Sequence, residues 1–424
     1  MKWINNIWTC NSTFLAISLA VLAGVCSAQE PTSDSGLSEA ELTERYVKQR
    51  RAEFGQCADA LKTRAASEGI PDRVIEDVLG NLSFLPRIIE LDRTQSEFTQ
   101  TFQDYIDTRV SDTRVETGRA MFVKHRNFLD QITREFGIPG QYLIAFWGLE
   151  TNYGSFMGST STFDALATLG CDPRRSDFFT DELMIALQLL VANDLAAESF
   201  QGSWAGAVGH TQFMPSNYQR YALDGDADGK VDLWNSERDA LRSAANFLKQ
   251  LGWRSGERWG REVSLPENFD FLSVGVDNPK PLSGWATSGI TKTDGTILPS
   301  LDIPTAVLVP QGHLGPVFAV YPNFDVIMRW NRSQSFAISV GHLADRINGA
   351  GRLRAVAPSD GPRLSRELVT QVQNRLENLG FETGGVDGVF GGGTKKALAQ
   401  YQQKNGLVPD GFLDKLTLRE LLAQ

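Results

Sequence analysis

A single glutamate stands among aromatic residues and glycines in the segment FWGLETNYGSFMG, residues 146–158. The spacing i, i+3, i+4, i+7, which places side chains on one face of a helix, is followed by Leu143, Phe146, Trp147 and Glu150. An ionised carboxylate on an apolar face is costly, so it must find partners or hold its proton more tightly than usual. The pattern therefore indicates either a general acid or a buried glutamate paired with an arginine.

A second chemically suggestive segment is DGDADGKVDLWN, which begins at residue 224. Positions 1, 3, 5, 6 and 7 of a calcium-binding loop are matched by Asp224, Asp226, Asp228, Gly229 and Lys230, with Lys230 lending its backbone carbonyl. The segment departs from the template at position 12, where Asn235 replaces the bidentate glutamate. The alternative interpretation is an Asp/Gly-rich surface turn.

Other kinds of site are disfavoured by the composition. The net charge of −10 argues against nucleic acid as the main partner, since phosphate binding needs a basic surface. His210 and His313 each lack a second His or Cys at ligand spacing, which argues against zinc. The sequence contains no phosphate-binding loop and no dinucleotide-binding fingerprint.

The N-terminal 28 residues have the pattern of a signal peptide. Lys2 precedes an apolar run from Phe14 to Val25, and small residues allow cleavage after Ala28. The run is shorter than the roughly 20 residues that a membrane span needs. We therefore expect export, to a bacterial periplasm, with an uncleaved anchor or a lipid-modified Cys26 as alternatives. The exported chain keeps two cysteines, Cys57 and Cys171, which we expect to form one disulfide.

The elements that must position these residues follow from periodicity and composition. Residues from about 40 to 252 are mainly helical in pattern, whereas 253–325 are rich in Gly and Pro with short β-prone runs. A helical pattern returns near 333–347. Residues 348–362 have the composition of a linker, and 363–424 carry three amphipathic stripes that predict three short helices.

Five segments in this order resemble the lytic transglycosylases of the B type, which cleave the MurNAc–GlcNAc bond of peptidoglycan. The segments are GLETNYGSFMG, ALATLGCDPRRSDFF, GSWAGAVGHTQFMPSNY, DGDADGKVDLWN and RWNRS. The resemblance covers residues 40–347, and residues 363–424, with VDGVFGGGTKKALAQYQQKNGLVPDGFLD, resemble a peptidoglycan-binding module. It implies a mainly α, lysozyme-like (α+β) catalytic domain with a small α/β subdomain at about 253–330, plus a small three-helix C-terminal module.

The resemblance implies that Glu150 is the single general acid and base. It would first protonate the leaving sugar oxygen and then take the proton of the MurNAc 6-hydroxyl, which closes to a 1,6-anhydro ring. No water enters and no catalytic cofactor is needed. The acid role requires a pKa raised toward neutrality, which an apolar helix face can supply.

The resemblance also assigns substrate-binding roles to seven side chains: Arg174, Arg175, Ser203, Gln212, Phe247, Trp330 and Asn331. The paired arginines suit the carboxylates of the stem peptide. Ser203 and Gln212 match positions that bond sugar groups, and Asn331 matches an asparagine close to the glutamate. Phe247 and Trp330 replace tyrosines, so we expect stacking on sugar to survive and the hydroxyl contact to be lost. Periodicity alone places Phe247 in the core.

In the resembled family the calcium loop is longer, and its closing carboxylate best matches Asp239, with Glu237 as a rival. Such an ion would be structural. The implied partners are peptidoglycan glycan strands, with other cell-wall enzymes left open, and the protein is expected to be a monomer.

Two alternatives remain. A muramidase would hydrolyse the same bond with a second carboxylate, such as Asp164 or Asp177. A wall-binding scaffold would lack catalysis altogether. The sequence does not distinguish cutting within strands from cutting at their ends, nor does it decide whether stem peptides are needed.

Overall fold

The computed structural model describes residues 39–94, 101–193, 195–356 and 361–423. The predicted signal segment 1–28, with Cys26, lies outside the described residues, as do residues 357–360 of the predicted linker. Residues Arg45–Gln424 form one compact unit.

Helices dominate the first part of the described chain. They are α1 (Glu39–Ser67), α2 (Asp72–Val74), a π-helical turn (Ile75–Leu79), α3 (Pro86–Thr94), α4 (Phe102–Arg109), α5 (Asp112–Lys124), α6 (Arg126–Phe136) and α7 (Gly140–Thr151). Side-chain caps fix several starts: the Ser111 hydroxyl accepts a hydrogen bond from the backbone N–H of Arg114 at the start of α5. Gly137, with φ of 77°, ends α6 in the left-handed conformation that glycine adopts without strain.

The next segment contains the strands and helices that surround the glutamate motif. They are β1 (Thr160–Ser161), α8 (Thr162–Gly170), α9 (Ser176–Ala192), a 3₁₀ turn (Ala197–Ser199), β2 (Gln201–Gly202), α10 (Pro215–Tyr221) and α11 (Glu237–Gln250). The two short strands pair antiparallel. Cys57 on α1 and Cys171, directly after α8, form a disulfide with a Cα–Cα distance of 5.9 Å. The predicted pairing of these cysteines is therefore confirmed.

A small α/β subdomain follows α11. Its elements are β3 (Gly260–Ser264), a 3₁₀ turn (Phe271–Ser273), β4 (Lys280–Pro281), α12 (Leu282–Thr287), β5 (Thr291–Lys292), β6 (Pro304–Leu308) and β7 (Val317–Val320). All the strand pairs in its five-stranded sheet are antiparallel, in the order β4-β6-β7-β3-β5. One face of the sheet packs on Leu282 and Trp285 of α12 through Val307 and Ala319, which are fully buried. The other face joins the helical core through Phe318.

Two helices then return to the helical body. They are α13 (Pro322–Trp330) and α14 (Gln334–Ile347), the latter capped by the Ser333 hydroxyl. Helix α14 packs along α7, and buried Leu343 and Ile144 share one hydrophobic core there. This packing removes large apolar areas from water and holds α7 in the centre of the domain.

The C-terminal module consists of α15 (Arg366–Asn378), α16 (Gly392–Lys404) and α17 (Lys415–Ala423). Its compact core includes Leu376, Leu398, Tyr401 and Leu421. Among the described helices, none combines the length and the apolar character that crossing a membrane requires. The predicted fold class, a mainly α body with a small α/β subdomain and a three-helix module, is confirmed.

Candidate active site

Helix α7 is apolar all round rather than amphipathic. Ten of its twelve residues are buried, and the other two are Gln141 and Glu150. A helix of this kind belongs in the centre of a core, so the apolar face predicted from the spacing is one part of a helix surface that is buried on nearly every side. Glu150, half-buried, is the next-to-last residue, where the helix leaves the core. The packing of α7 therefore fixes the position of its carboxylate.

Trp330, the last residue of α13, contacts that carboxylate directly. Its indole Nε1–H donates a hydrogen bond of 2.8 Å to Glu150 Oε1. The indole ring packs on Phe146 and Phe247, with centroid distances of 4.4 and 5.1 Å. The indole N–H thus supplies a polar donor at a position where we expected stacking on sugar and no hydroxyl contact.

The turn after α7 is held in an uncommon conformation. Asn152, Tyr153 and Gly154 have φ of 49°, 61° and 80°. Positive φ is strained for residues other than glycine and is concentrated at functional sites. Tyr153 is fixed by a hydrogen bond of 2.7 Å from its hydroxyl to the carbonyl of Arg114. Packing therefore maintains this turn against its own backbone preference.

His210 joins this turn to the glycine-rich loop that follows β2. Its Nδ1 accepts a hydrogen bond of 3.1 Å from the Trp147 indole, and its carbonyl accepts one of 2.8 Å from the Thr151 hydroxyl. Burial lowers the pKa of His210, which favours the neutral ring that these contacts require. In the sequence, His210 stands out only as a possible metal ligand, and its partners Trp147 and Thr151 could not be predicted from it. Only the position of His210 within the segment GSWAGAVGHTQFMPSNY indicated that it could join the turn to the loop.

Gln212 and Ser203 lie in the same glycine-rich loop. The Gln212 amide donates hydrogen bonds of 3.0 Å to the carbonyls of Met157 and Gly209, and the residue has φ of 50°. The Ser203 hydroxyl accepts a hydrogen bond of 3.2 Å from the backbone N–H of Ala207. Both side chains therefore connect loop segments beside the turn after α7.

The other two predicted sugar-binding residues differ in accessibility. Phe247 is 6 % exposed, and its ring stacks on Tyr221 with a centroid distance of 4.6 Å. Asn331 is half-buried and ends α13 directly after Trp330. Phe247 thus lies behind Trp330 in the core, whereas Asn331 lies next to the residue that contacts Glu150.

Arg174 and Arg175 share a buried carboxylate, that of Asp92 on α3. The Arg174 Nε–H donates a hydrogen bond of 2.7 Å to Asp92 Oδ2, and Arg175 also pairs with this carboxylate. Asp92 is 4 % exposed. The arginines therefore have a protein partner, which the sequence analysis did not anticipate because Asp92 lies 82 residues before Arg174.

The two carboxylates considered for a hydrolytic mechanism lie in the first turns of helices. Asp164, in the first turn of α8, accepts a hydrogen bond of 2.8 Å from the backbone N–H of Ser83. Asp177 lies in the first turn of α9. Acidic residues at such positions interact favourably with the helix dipole. Both carboxylates thus have a structural explanation that needs no catalysis.

Three carboxylates converge between the acidic loop and the first turn of α11. Ligand atoms of Asp224, Asp226 and Asp239 lie within 4.8 Å of one another. The Asp239 carboxylate is buried and accepts hydrogen bonds of 2.7 Å from the backbone N–H groups of Gly225 and Asp232. This convergence of oxygen ligands fits Ca²⁺.

Two other acidic residues considered for the calcium loop have hydrogen-bond partners of their own. Asp228 Oδ1 accepts a hydrogen bond of 2.8 Å from the backbone N–H of Lys230. The carboxylate of Glu237, the rival to Asp239, binds the Lys124 ammonium at 2.7 Å. The geometry thus favours Asp239 over Glu237 as the closing carboxylate.

In a comparison with known proteins, the larger part of the chain matches one protein family. Residues 53–345 match the family described as "Transglycosylase SLT domain". The chain belongs to this transglycosylase family. Residues 365–421 match a second family, "Putative peptidoglycan binding domain". The resemblance found in the sequence is therefore confirmed for both parts.

Individual relatives agree with this transglycosylase assignment. The membrane-bound lytic murein transglycosylase B of Escherichia coli (strain K12) is 31% identical over 248 residues, which cover 55% of this chain and 63% of that protein. The chain thus matches less than two thirds of the length of this relative.

Solved transglycosylase structures share the fold. SltB3 from Pseudomonas aeruginosa, in complex with NAG-anhNAM-pentapeptide, has a TM-score of 0.84 and 37% identity over 87% of this chain and 99% of that one. The Escherichia coli lytic transglycosylase Slt35, in complex with calcium, has a TM-score of 0.60 and 26% identity over 69% of this chain and 92% of that one.

Proposed function

We propose that this protein is a lytic transglycosylase that cleaves the β-1,4 bond between MurNAc and GlcNAc of peptidoglycan and leaves 1,6-anhydro-MurNAc ends. The observation that carries the proposal is the Glu150 carboxylate, half-buried at the end of a buried helix and hydrogen-bonded by the Trp330 indole. Family membership and the NAG-anhNAM-pentapeptide bound to SltB3 support it.

In the proposed reaction, protonated Glu150 donates its proton to the glycosidic oxygen as the bond between that oxygen and C1 of MurNAc breaks. The leaving GlcNAc carries away the proton, and positive charge develops at C1. The Glu150 carboxylate then removes the proton of the MurNAc 6-hydroxyl, whose oxygen bonds to C1. Glu150 ends protonated, as it began, and no water is consumed. The Trp330 N–H stabilises the intervening carboxylate.

Mass spectrometry of products released from purified peptidoglycan tests this proposal. Wild type should release muropeptides lighter by one water than hydrolytic products, and Glu150→Gln should release none. Glu116→Gln, the same change at an exposed position on α5, is the matched control and should retain activity. Reducing-end MurNAc would identify a hydrolase instead. Binding without products from wild type would identify a scaffold.

The substrate contacts form part of the same proposal. Ser203, Gln212 and Asn331 would bond sugar groups, while Phe247 would support the Trp330 ring from the core. The paired arginines would exchange Asp92 for stem-peptide carboxylates. We also propose export to the periplasm, where the C-terminal module would hold the enzyme on glycan strands. Tethering of this kind raises the local substrate concentration.

We infer that Asp224, Asp226 and Asp239 hold a structural Ca²⁺, with the Lys230 carbonyl and Asp228 as further ligands. Calcium bound to the related Slt35 supports this inference. Ca²⁺ should raise the Tm of wild type, because a ligand that binds only the folded state stabilises it. Asp239→Asn should abolish the increase, whereas Glu237→Gln should retain it. An increase that depends on Glu237 instead would refute this ligand set.

A further inference from the structure

A cavity of about 490 Å³ lies where the C-terminal module meets the α/β subdomain. One wall is the loop between β6 and β7, with Gln311 and Leu314, and the other is formed by Phe412 and by Lys415 and Arg419 of α17. The two walls fit closely: a Cβ on Gly312 would lie 2.6 Å from Asp410 Oδ2. The volume is within the range of small-ligand sites.

The cavity contains a buried acceptor without a partner. Gln311 is 3 % exposed, and its Oε1 makes no hydrogen bond to any residue that the structure describes. A buried amide oxygen left unpaired costs roughly 1–3 kcal/mol. Folding alone does not explain such a group, whereas a ligand N–H placed in the cavity would satisfy it.

Two cations line the same cavity. Lys415 and Arg419 are four residues apart on α17, so both side chains lie on one helix face, where like charges repel. Neither side chain makes a hydrogen bond or an ion pair within the described part of the chain. Paired cations left without a partner favour an anionic ligand.

The acidic residues of the cavity are already engaged. Asp410 accepts hydrogen bonds of 2.9 Å from the His313 backbone N–H and 3.1 Å from the Gln402 amide, and its Oδ2 lies 2.7 Å from His313 Nδ1. Asp414 accepts a hydrogen bond of 2.6 Å from the backbone N–H of Thr417 at the start of α17. The groups of the cavity that lack a protein partner are therefore the two exposed cations and the buried Gln311 oxygen, beside the exposed side chain of Leu314.

We propose that this cavity binds the C-terminal carboxylate of a peptidoglycan stem peptide. The carboxylate would lie between Lys415 and Arg419, a peptide N–H would donate to Gln311 Oε1, and the small apolar side chain at the peptide end would contact Leu314 and Phe412. A neutral glycan would leave the two cations unpaired, which favours the peptide. The inference rests on the proposed function in one respect: the stem peptide is chosen as the ligand because the proposed substrate is peptidoglycan.

Calorimetric titration of full-length Glu150→Gln protein with a synthetic tetrapeptide stem tests the inference. The free acid should bind at least tenfold more tightly than the same peptide with a C-terminal amide. Lys415→Ala combined with Arg419→Ala should weaken binding of the acid about tenfold and abolish the preference over the amide. Lys396→Ala, which removes an exposed lysine from α16, is the matched control and should change neither.

A second variant separates binding from folding. Gln311→Leu should weaken peptide binding while leaving the Tm unchanged or raised, because it removes an unsatisfied buried oxygen. The inference would be overturned if the acid and the amide bound equally, or if neither bound. It would also be overturned if the double variant still preferred the acid, a result that would indicate Arg174 and Arg175 as the carboxylate-binding residues. Because release of anhydro products from peptide-free glycan does not involve this cavity, that assay tests the proposed function separately.

Discussion

At the residue scale, the candidate site depends on one carboxylate and the indole that bonds it. The segment FWGLETNYGSFMG was enough to single out Glu150, because a lone carboxylate in an apolar segment is unusual in any sequence. The Trp330 contact could not be predicted, since the two residues are 180 positions apart and only tertiary packing brings them together. Asp92 beside the arginines was missed for the same reason.

Trp330→Phe should lower kcat about tenfold with little change in KM. The ring that packs on Phe146 is retained, while the N–H that stabilises the ionised Glu150 is lost, a contribution of about 1.5 kcal/mol for a hydrogen bond to a charged group. Steady-state rates on purified peptidoglycan provide the measurement.

The matched control for this change is Trp253→Phe. The Trp253 indole is also buried, but its Nε1 makes no hydrogen bond to a described residue. That variant should keep the wild-type rate. Equal losses in both variants would show that indole packing, rather than donation to Glu150, determines the rate.

At the element scale, the site is built where a fully buried helix ends in a strained turn. The spacing of apolar residues predicted the helix that carries Glu150, but it did not predict that the helix is buried on nearly every side. The positive φ of Tyr153 and Gln212 was also not predictable, because neither residue type favours that conformation. Hydrogen bonds hold both residues instead, from Tyr153 to the Arg114 carbonyl and from Gln212 to the carbonyls of Met157 and Gly209.

Gly154→Ala should destabilise the protein and abolish most activity. The residue has φ of 80°, which costs alanine roughly 1–2 kcal/mol, and its Cβ would lie 2.3 Å from His210 Cε1. Displacing His210 would disturb its bonds to Trp147 and Thr151. Chemical denaturation and product release measure the two effects.

Gly256→Ala isolates the backbone contribution. Gly256 also has φ of 80°, but a Cβ there would have no atom within 4 Å. We expect a loss of stability of about 1–2 kcal/mol and normal activity. If both variants behaved alike, crowding against His210 would have no role in the site.

At the scale of the whole molecule, the sequence predicted a division into a helical body, an α/β subdomain and a C-terminal module. Composition and periodicity change clearly at these boundaries. They carried no information on how the module meets the subdomain, because that contact depends on single residues such as Gly312 and Asp410. The cavity between the module and the subdomain could therefore not be predicted from the sequence.

Replacing Cys57 and Cys171 together by serine should lower the free energy of unfolding by about 3–5 kcal/mol. The bridge spans 114 residues, and a cross-link of that length restricts the unfolded chain strongly. Denaturant titration gives the size of the loss. A reducing agent should destabilise the wild type and leave the double variant unaffected; a wild type indifferent to reduction would contradict the expectation.

The order of elements along the chain affects when, during synthesis, the contact between Glu150 and Trp330 can form. Glu150 is translated well before Trp330, and the whole α/β subdomain lies between them. A fragment that ends before α13 contains the complete glutamate motif yet lacks the indole that contacts it. We therefore expect nascent or truncated chains that end before α13 to cleave peptidoglycan more slowly than the complete domain, because they lack the indole N–H that stabilises the Glu150 carboxylate.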